Sequence, residues 1–527
     1  MMETSAQNGL VAKERFALAF LATLGAMVWL IVLGRINIAD GDLWAKMALG
    51  AMLLEKGVLL THDVFAFTPV LPEYVDHEWG SGVVFFGVLK LLGPMGLMTL
   101  KIGLATAALL AAARAARRQG SSWPTLLLLL PVVAWALLPG YAATLRSHAF
   151  TYAFFALTLL FLEEMRRGAV WFGVALIIIT GLWTNLHGGF VAGLGMISVY
   201  AAAACIERKH WRAMLATATG CWLATLINPN GVKYWQVLFP ALTHPRPEIT
   251  EWQSLPLYGS DVFVGFRVLF FLVLLGVAGG WRHVEKRSWP GLFMLALTAY
   301  LGWKARRHGP FFALTALAIG ATYVEALLGR CLAAVPEPGG RRVLARIALL
   351  GMLYVGLALW AFTRLLPQTT FQVLAPIGIY PVREVDVLER AGLEGNMAVP
   401  FTKGSYVSWR LYPKVKVSMD GRYEAAYPES TFGMNKDFFS KRGQDWDRLI
   451  REFHVDFIIL DYRSGSLRPE DLMDKGYVLI WLQPGLSALL ASERHAAILR
   501  ETVTNLPPTT SDPLSADIPK KWPKPGS

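Results

Sequence analysis

The sequence is short of charge. Asp, Glu, Lys and Arg make up 17% of its 527 residues, against 54% hydrophobic residues and a mean hydropathy of +0.42. That shortage excludes an ordinary soluble domain of this size. Cysteine is scarce too: Cys205, Cys221 and Cys331 all lie in or beside apolar runs, so no disulfide framework is implied, and no Cys/His cluster has metal-ligand spacing. The chain has no Gly-rich phosphate loop with Lys and Ser/Thr, no HExxH and no GxSxG, which argues against soluble nucleotide chemistry. There is no internal repeat. The formal charge of +12 comes from Lys and Arg scattered through short loops between apolar runs, as membrane topology alone demands, so nucleic acid is not an expected partner.

Long apolar runs are what the chain has in abundance. Stretches able to cross a bilayer occur near 16–35, 95–113, 123–140, 149–164, 170–186, 189–205, 213–228, 263–281, 288–303, 310–329 and 345–364. The first lacks a small-residue cleavage site and reads as a retained span. The basic connections "RAARRQ", "EEMRRG", "ERKHWR", "RHVEKR" and "GGRRVLAR" all fall on one side, which predicts a cytoplasmic N-terminus and a C-terminal region on the outer face. The opposite connections hold "ADGDLW", "DHEW", "LRSH", "NLHGG", "NPNG", "TEWQS" and "KARRHGP". Such one-sided clustering of Asp, Glu, His, Asn and Arg points to a shared outward-facing site, with helix caps or interfacial anchors as the competing explanation for any single cluster.

The outer loop 36–94 places Asp40 and Asp42 directly after the first span. Trp44, Met47, Ala48, Ala51 and Met52 follow at helical spacing, predicting a short amphipathic helix in the membrane interface. A second helix is expected from Trp79 to Leu92, ended by "GPMG". One Asp suffices to cap the first helix, which leaves the other carboxylate for chemistry. Beyond residue 364 charges return. "MAVPF", "VKVSMD", "DFIILD", "YVLIWL" and "SALLAS" read as strands, with helices near 382–391, 404–411, 430–441, 444–453 and 468–475. The expected organisation is therefore a transmembrane domain over 1–364, an α/β domain over 365–504, and a Pro-rich disordered tail over 505–527.

Asp40, Asp42 and Trp44, then "THDVFAFT" at 61–68 and "DHEW" at 76–79, resemble the first outer loop of bacterial multi-spanning proteins related to the GT-C (C-type) glycosyltransferases. The similarity continues through Arg146, "WTNLHGGF" at 183–190, "NPNG", Glu251 with Trp252, "ARRHGPFF" at 305–312, and "GSYVSWRLYPKVKVSMDGRYEAAYP" in the last domain. The resemblance implies a polytopic α-helical membrane fold, about 11 spans by run length, with interfacial helices in the first outer loop. It also implies a bacterial inner-membrane enzyme that takes a sugar from a polyprenyl-phosphate donor at the periplasmic face, with an acidic residue soon after the first span as its catalytic element. Carried across, that element is Asp42 or Asp40, with Glu78 a second acidic candidate. Two positions depart from the pattern: Ala45 and Lys46 stand where relatives often have an aromatic residue and a His, and "GSGVVF" after Trp79 lacks an acid.

Glycosyl transfer from a lipid phosphate needs a base for the acceptor hydroxyl and cations for the departing phosphate. Asp42 is the expected base, and Asp40 its partner. Asp40 and Asp42 are also the residues that would ligate a divalent cation, Mg or Mn, if one is used. Arg306, Arg307, His308, Arg146, His148 and His187 are the candidates for donor-phosphate binding, and Trp44, His77, Asn185, Glu251 and Trp252 for substrate binding. Expected partners are membrane lipids, the polyprenyl-phosphate sugar, and an envelope glycan, lipid or protein acceptor. The alternatives are a glycan ligase or polymerase using polyprenyl diphosphate, a transporter, or a non-catalytic assembly protein; the near absence of intramembrane charge, Lys101 excepted, disfavours transport. Asp420 and Arg422, with Tyr423 and Tyr427, read either as a glycan-binding group or as a salt-bridged turn.

Overall fold

The structure is a computed structural model. It describes residues 37–141, 145–243, 249–258, 262–332, 371–463, 465–506, 511–515 and 517–524, together with positions 20, 24, 25 and 356. The chain divides into two compact units. One comprises 1–37, 99–233 and 242–371, and the other 38–98, 234–241 and 372–527. This differs from the expected boundary near residue 364, because the first outer loop folds with the C-terminal residues rather than with the helical ones. Backbone pairing accounts for it: Ile38 bridges Leu374, Ala66 bridges Val417, and Phe67 N–H donates to Val417 O at 3.1 Å.

The first unit is helical. Helices His148–Arg166, Phe172–Leu186, Phe190–Glu207, Trp211–Ala224, Val264–Gly280 and Trp289–Lys304 coincide with expected spans, as does the helical stretch from Gly309 through Leu332. Trp123–Tyr141 and the end of Trp79–Arg118 do likewise. Among the described residues, five helices are long and apolar enough to cross a membrane. Val174, Ile178 and Leu182 stand exposed along one side of Phe172–Leu186, an apolar stripe that water would disfavour and lipid would accept. The expected spans 16–35 and 345–364 lie largely outside the described residues. Small residues set the helix contacts: a Cβ on Gly193 would strike the Trp183 ring, and one on Gly265 the backbone at Trp135.

The second unit is α/β. Its five-stranded sheet runs β3-β2-β4-β6-β5, with β2 Gly395–Ala398, β3 Val415–Val417, β4 Phe457–Asp461, β5 Tyr477–Gln483 and β6 Ser487–Ser492. β2 pairs in parallel with β3 and β4, and β6 antiparallel with β4 and β5. All five strands lie at the expected segments. Fully buried Phe457, Ile458, Ile459 and Leu460 make β4 central.

Helix Gly41–Lys56 departs from expectation. It buries Leu43, Trp44, Ala45, Met47, Ala48, Leu49, Gly50, Ala51 and Met52, which is nearly its whole circumference. It is a core helix of this unit, buried on more than the one face an amphipathic pattern predicts. Helix Trp79–Arg118 bends at Gly93, whose φ of 66° suits glycine, immediately before Pro94. The tail departs as well. β7, Ser511–Pro513, pairs antiparallel with β1, Leu374–Pro376. Trp522 is 2% exposed, with its ring against Phe65, Trp409 and Tyr412. Proline richness lowers the capacity to form a core, but one anchored indole is enough to order a short segment.

Candidate functional site

Six of the residues singled out in the sequence gather in the helical unit, with Arg146 joined to them through Glu251. Arg146 and His148 precede and open helix His148–Arg166, and His187 closes Phe172–Leu186, where Gly188 and Gly189 end the helix. Glu251 and Trp252 lie in a 3₁₀ turn, Thr250–Trp252, and Arg307 and His308 in another, Arg306–His308. The two turns are tied by Arg306 N–H donating to Gln253 O at 3.1 Å.

Glu251 stands between the two guanidinium groups, 3.2 Å from Arg146 Nη1 and 3.7 Å from Arg307 Nη1. Arg307 lies over the Trp252 ring, 4.2 Å from its centroid, and its Nη2 donates to His148 Nε2 at 2.7 Å. Arg is only a donor, so His148 Nε2 is the accepting nitrogen. The His148 and His187 rings are 4.3 Å apart, and the His308 ring meets Trp252 edge-on at 6.3 Å. His187 Nδ1 accepts from Gly189 N–H and from Thr151 Oγ1, each at 2.8 Å, while Trp183 Nε1 donates to the same hydroxyl. His187 is thereby a neutral imidazole that carries its proton on Nε2. Among the described residues the cluster brings two guanidiniums, one carboxylate, an indole and imidazole rings together, partly exposed. Such a group suits an oxyanion.

Two candidates do not join this cluster. Arg306 turns away, donating from Nε to Ser254 O at 3.4 Å, with its guanidinium 5.7 Å from the Phe263 ring centroid. Asn185 Nδ2 donates to Gly181 O and Ile227 O, both at 2.8 Å, so its amide finishes helix ends.

The acidic candidates belong to the α/β unit. Asp40 caps helix Gly41–Lys56, its Oδ1 accepting from Asp42 N–H at 3.0 Å. Asp42 is half-buried in the first turn, where a Cβ on Gly421 would stand 3.7 Å from its Oδ1. One turn on, Lys46 Nζ lies 2.9 Å from Asp76 Oδ1 and 3.2 Å from Glu78 Oε2, with the three side chains 12%, 3% and 13% exposed. Burial alone would lower the Lys46 pKa, but Asp76 and Glu78 more than reverse it, and the ammonium keeps its proton well above the ordinary lysine range. His77 stacks on Tyr234 at 6.3 Å, and its Nε2 lies 3.5 Å from Glu78 Oε1. Trp44, expected to contact substrate, is 1% exposed with its ring against Tyr380, Tyr406 and Trp409; it is a core residue.

Sequence reasoning missed Lys46, Asp76 and Asp63. Asp63, inside "THDVFAFT", pairs with Arg422, which is also held by Asp420 at 2.7 Å and packed against Phe65 and Tyr74. The Asp420–Arg422 turn is thus salt-bridged, as one reading had it, and buried. The signal for Lys46 was its i+4 spacing from Asp42, and for Asp76 its place two residues before Glu78.

No family model and no curated protein matches the chain. Among solved structures it is similar to the crystal structure of the Archaeoglobus fulgidus oligosaccharyltransferase complex with Zn and sulfate, with a TM-score of 0.50, 12% sequence identity, and coverage of 90% of this chain and 73% of that one. The fold is GT-C-like. Among the described residues, no group of three or more His, Cys, Asp or Glu side chains is placed to hold a metal ion. Asp40 spends an oxygen on a backbone N–H, and Asp76 and Glu78 face an ammonium. Asp76 and Glu78, held by an ammonium, therefore do not fit a divalent cation.

Proposed function

We propose that the protein is a membrane glycosyltransferase that moves a sugar from a polyprenyl-phosphate donor to a cell-envelope glycan, lipid or protein acceptor at the periplasmic face of the bacterial inner membrane. The observation that carries this reading is the convergence of Arg146, His148, His187, Glu251, Trp252, Arg307 and His308 from four separate stretches of chain. The archaeal neighbour's structure is a complex with Zn and sulfate; of the two, the tetrahedral oxyanion matches this cluster, and the metal does not match the Asp76–Glu78 pair. In transfer, the bond from the sugar's anomeric carbon to the phosphate oxygen breaks as the acceptor oxygen bonds to that carbon. Arg146 and Arg307 take up the charge on the departing phosphate, and the acceptor's proton passes to a carboxylate base. His187 offers the phosphate its Nε2–H.

A ligase acting on polyprenyl diphosphate is a second reading, favoured by the gathering of Arg and His side chains in the helical unit. Incubating the purified protein with a panel of radiolabelled polyprenyl-phosphate sugars and envelope extract tests both. Labelled product is expected from wild type. Asp42→Asn should lower kcat by about 10² to 10⁴, and Arg307→Ala should raise the donor KM by about tenfold or more through loss of charge-assisted hydrogen bonds. Undiminished transfer by Asp42→Asn from a diphosphate donor would support the ligase instead. No transfer from any donor would refute both.

A further inference from the structure

The Asp76–Glu78 pair shows what holds it. Two carboxylates on one short segment, both at least four-fifths buried, would repel each other strongly in a site of low dielectric. Three features bear on how that repulsion is met. Lys46 Nζ lies within 3.2 Å of both side chains, close enough to attract both and offset one of their two charges. Asp76 Oδ1 already accepts from Glu78 N–H at 3.0 Å as well as from Lys46, which fixes the carboxylate's orientation. Asp76 Oδ2 is buried and accepts no hydrogen bond from the protein.

Lys46 itself cannot move away easily. It lies in the middle of a helix buried on nearly all sides, and at Gly50 that helix crosses the start of Trp79–Arg118 so closely that a Cβ on either Gly50 or Gly82 would strike backbone. The crossing places the Lys46 turn directly over the "DHEW" segment. We infer that the Lys46 ammonium is a resident cation, occupying the position between Asp76 and Glu78 that a divalent metal ion would otherwise take, so that this acidic pair works without metal. The inference rests on the geometry of this cluster and is independent of the transfer reaction.

Mn2+ binding to the chelator-stripped, full-length protein in detergent, followed by electron paramagnetic resonance, tests it directly. Wild type should show no Mn2+ binding that Asp76→Asn removes. Lys46→Ala leaves two carboxylates and the open Asp76 Oδ2 facing the vacated space, and should bind Mn2+ about tenfold more tightly or better, as ligand charge dictates. The double variant Lys46→Ala with Asp76→Asn should lose that gain. Stoichiometric Mn2+ on wild type that disappears in Asp76→Asn would overturn the inference, and so would a folded Lys46→Ala that binds no better than wild type. Should Lys46→Ala fail to fold, wild type alone decides. An unfolding midpoint unchanged between chelator and excess Mn2+ is expected, and a chelator-sensitive midpoint restored by Mn2+ would contradict it.

Discussion

His148 and His187 are each fixed in one tautomer by their neighbours, and each nitrogen so used is unavailable for other chemistry. The same logic makes His495 a pH-sensitive position in the α/β unit. Its ring packs on Phe457 at 5.1 Å, and its Nε2 accepts from Arg494 Nε at 3.0 Å. Burial and the Arg494 charge lower its pKa below the usual 6.5, and Asp456 only partly offsets them. A histidine with a depressed folded pKa contributes stability that is present above the unfolded value of about 6.5 and is lost as pH falls through the folded one. Hydrogen exchange should therefore show helix Glu493–Thr504 losing protection below about pH 6.5, with His495→Gln flattening the profile; equal pH dependence in both proteins would contradict this. At this scale the sequence was legible for polar residues that meet other polar residues, such as Arg307 and Glu251. It misled at Trp44, because an indole beside two acids looks like a ligand contact, and only Tyr380, Tyr406 and Trp409, remote in sequence, make it core.

Between elements, the crossing of Gly41–Lys56 with Trp79–Arg118 depends on the absence of side chains at Gly50 and Gly82. Each faces backbone of the other helix, which has no rotamer with which to yield. Gly82→Ala should cost about 1–3 kcal/mol, the usual range for overpacking, and should also part Lys46 from Asp76. A lowered unfolding midpoint together with new Asp76-dependent Mn2+ binding is the expected outcome, and an unshifted midpoint would show that the crossing has slack. Strands β2 to β6 were readable from short apolar, β-branched runs punctuated by Gly, Pro and Asp. The β1–β7 pair and helix Glu493–Thr504 were not read. β1 and β7 are three residues each, and Pro-rich surroundings mask them.

For the whole molecule, apolar run length revealed a membrane protein and the positions of its helices, because lipid leaves hydropathy little room for ambiguity. The division into units could not be read that way. The pairing of Ile38 with Leu374 and of Asp63 with Arg422 joins segments hundreds of residues apart, and no local pattern encodes such partners. Those long-range contacts place the first outer loop in the α/β unit, while the described Arg and His cluster belongs to the helical one. The central claim is that this cluster receives a lipid phosphate. Photocrosslinking with a polyprenyl-phosphate sugar that carries a diazirine beside the phosphate, followed by peptide mass spectrometry, measures it most directly. Saturable adducts on the stretches around Arg146–His148, His187, Trp252 and Arg307, lost on competition with unlabelled donor, are predicted; saturable adducts confined to other segments would contradict the account.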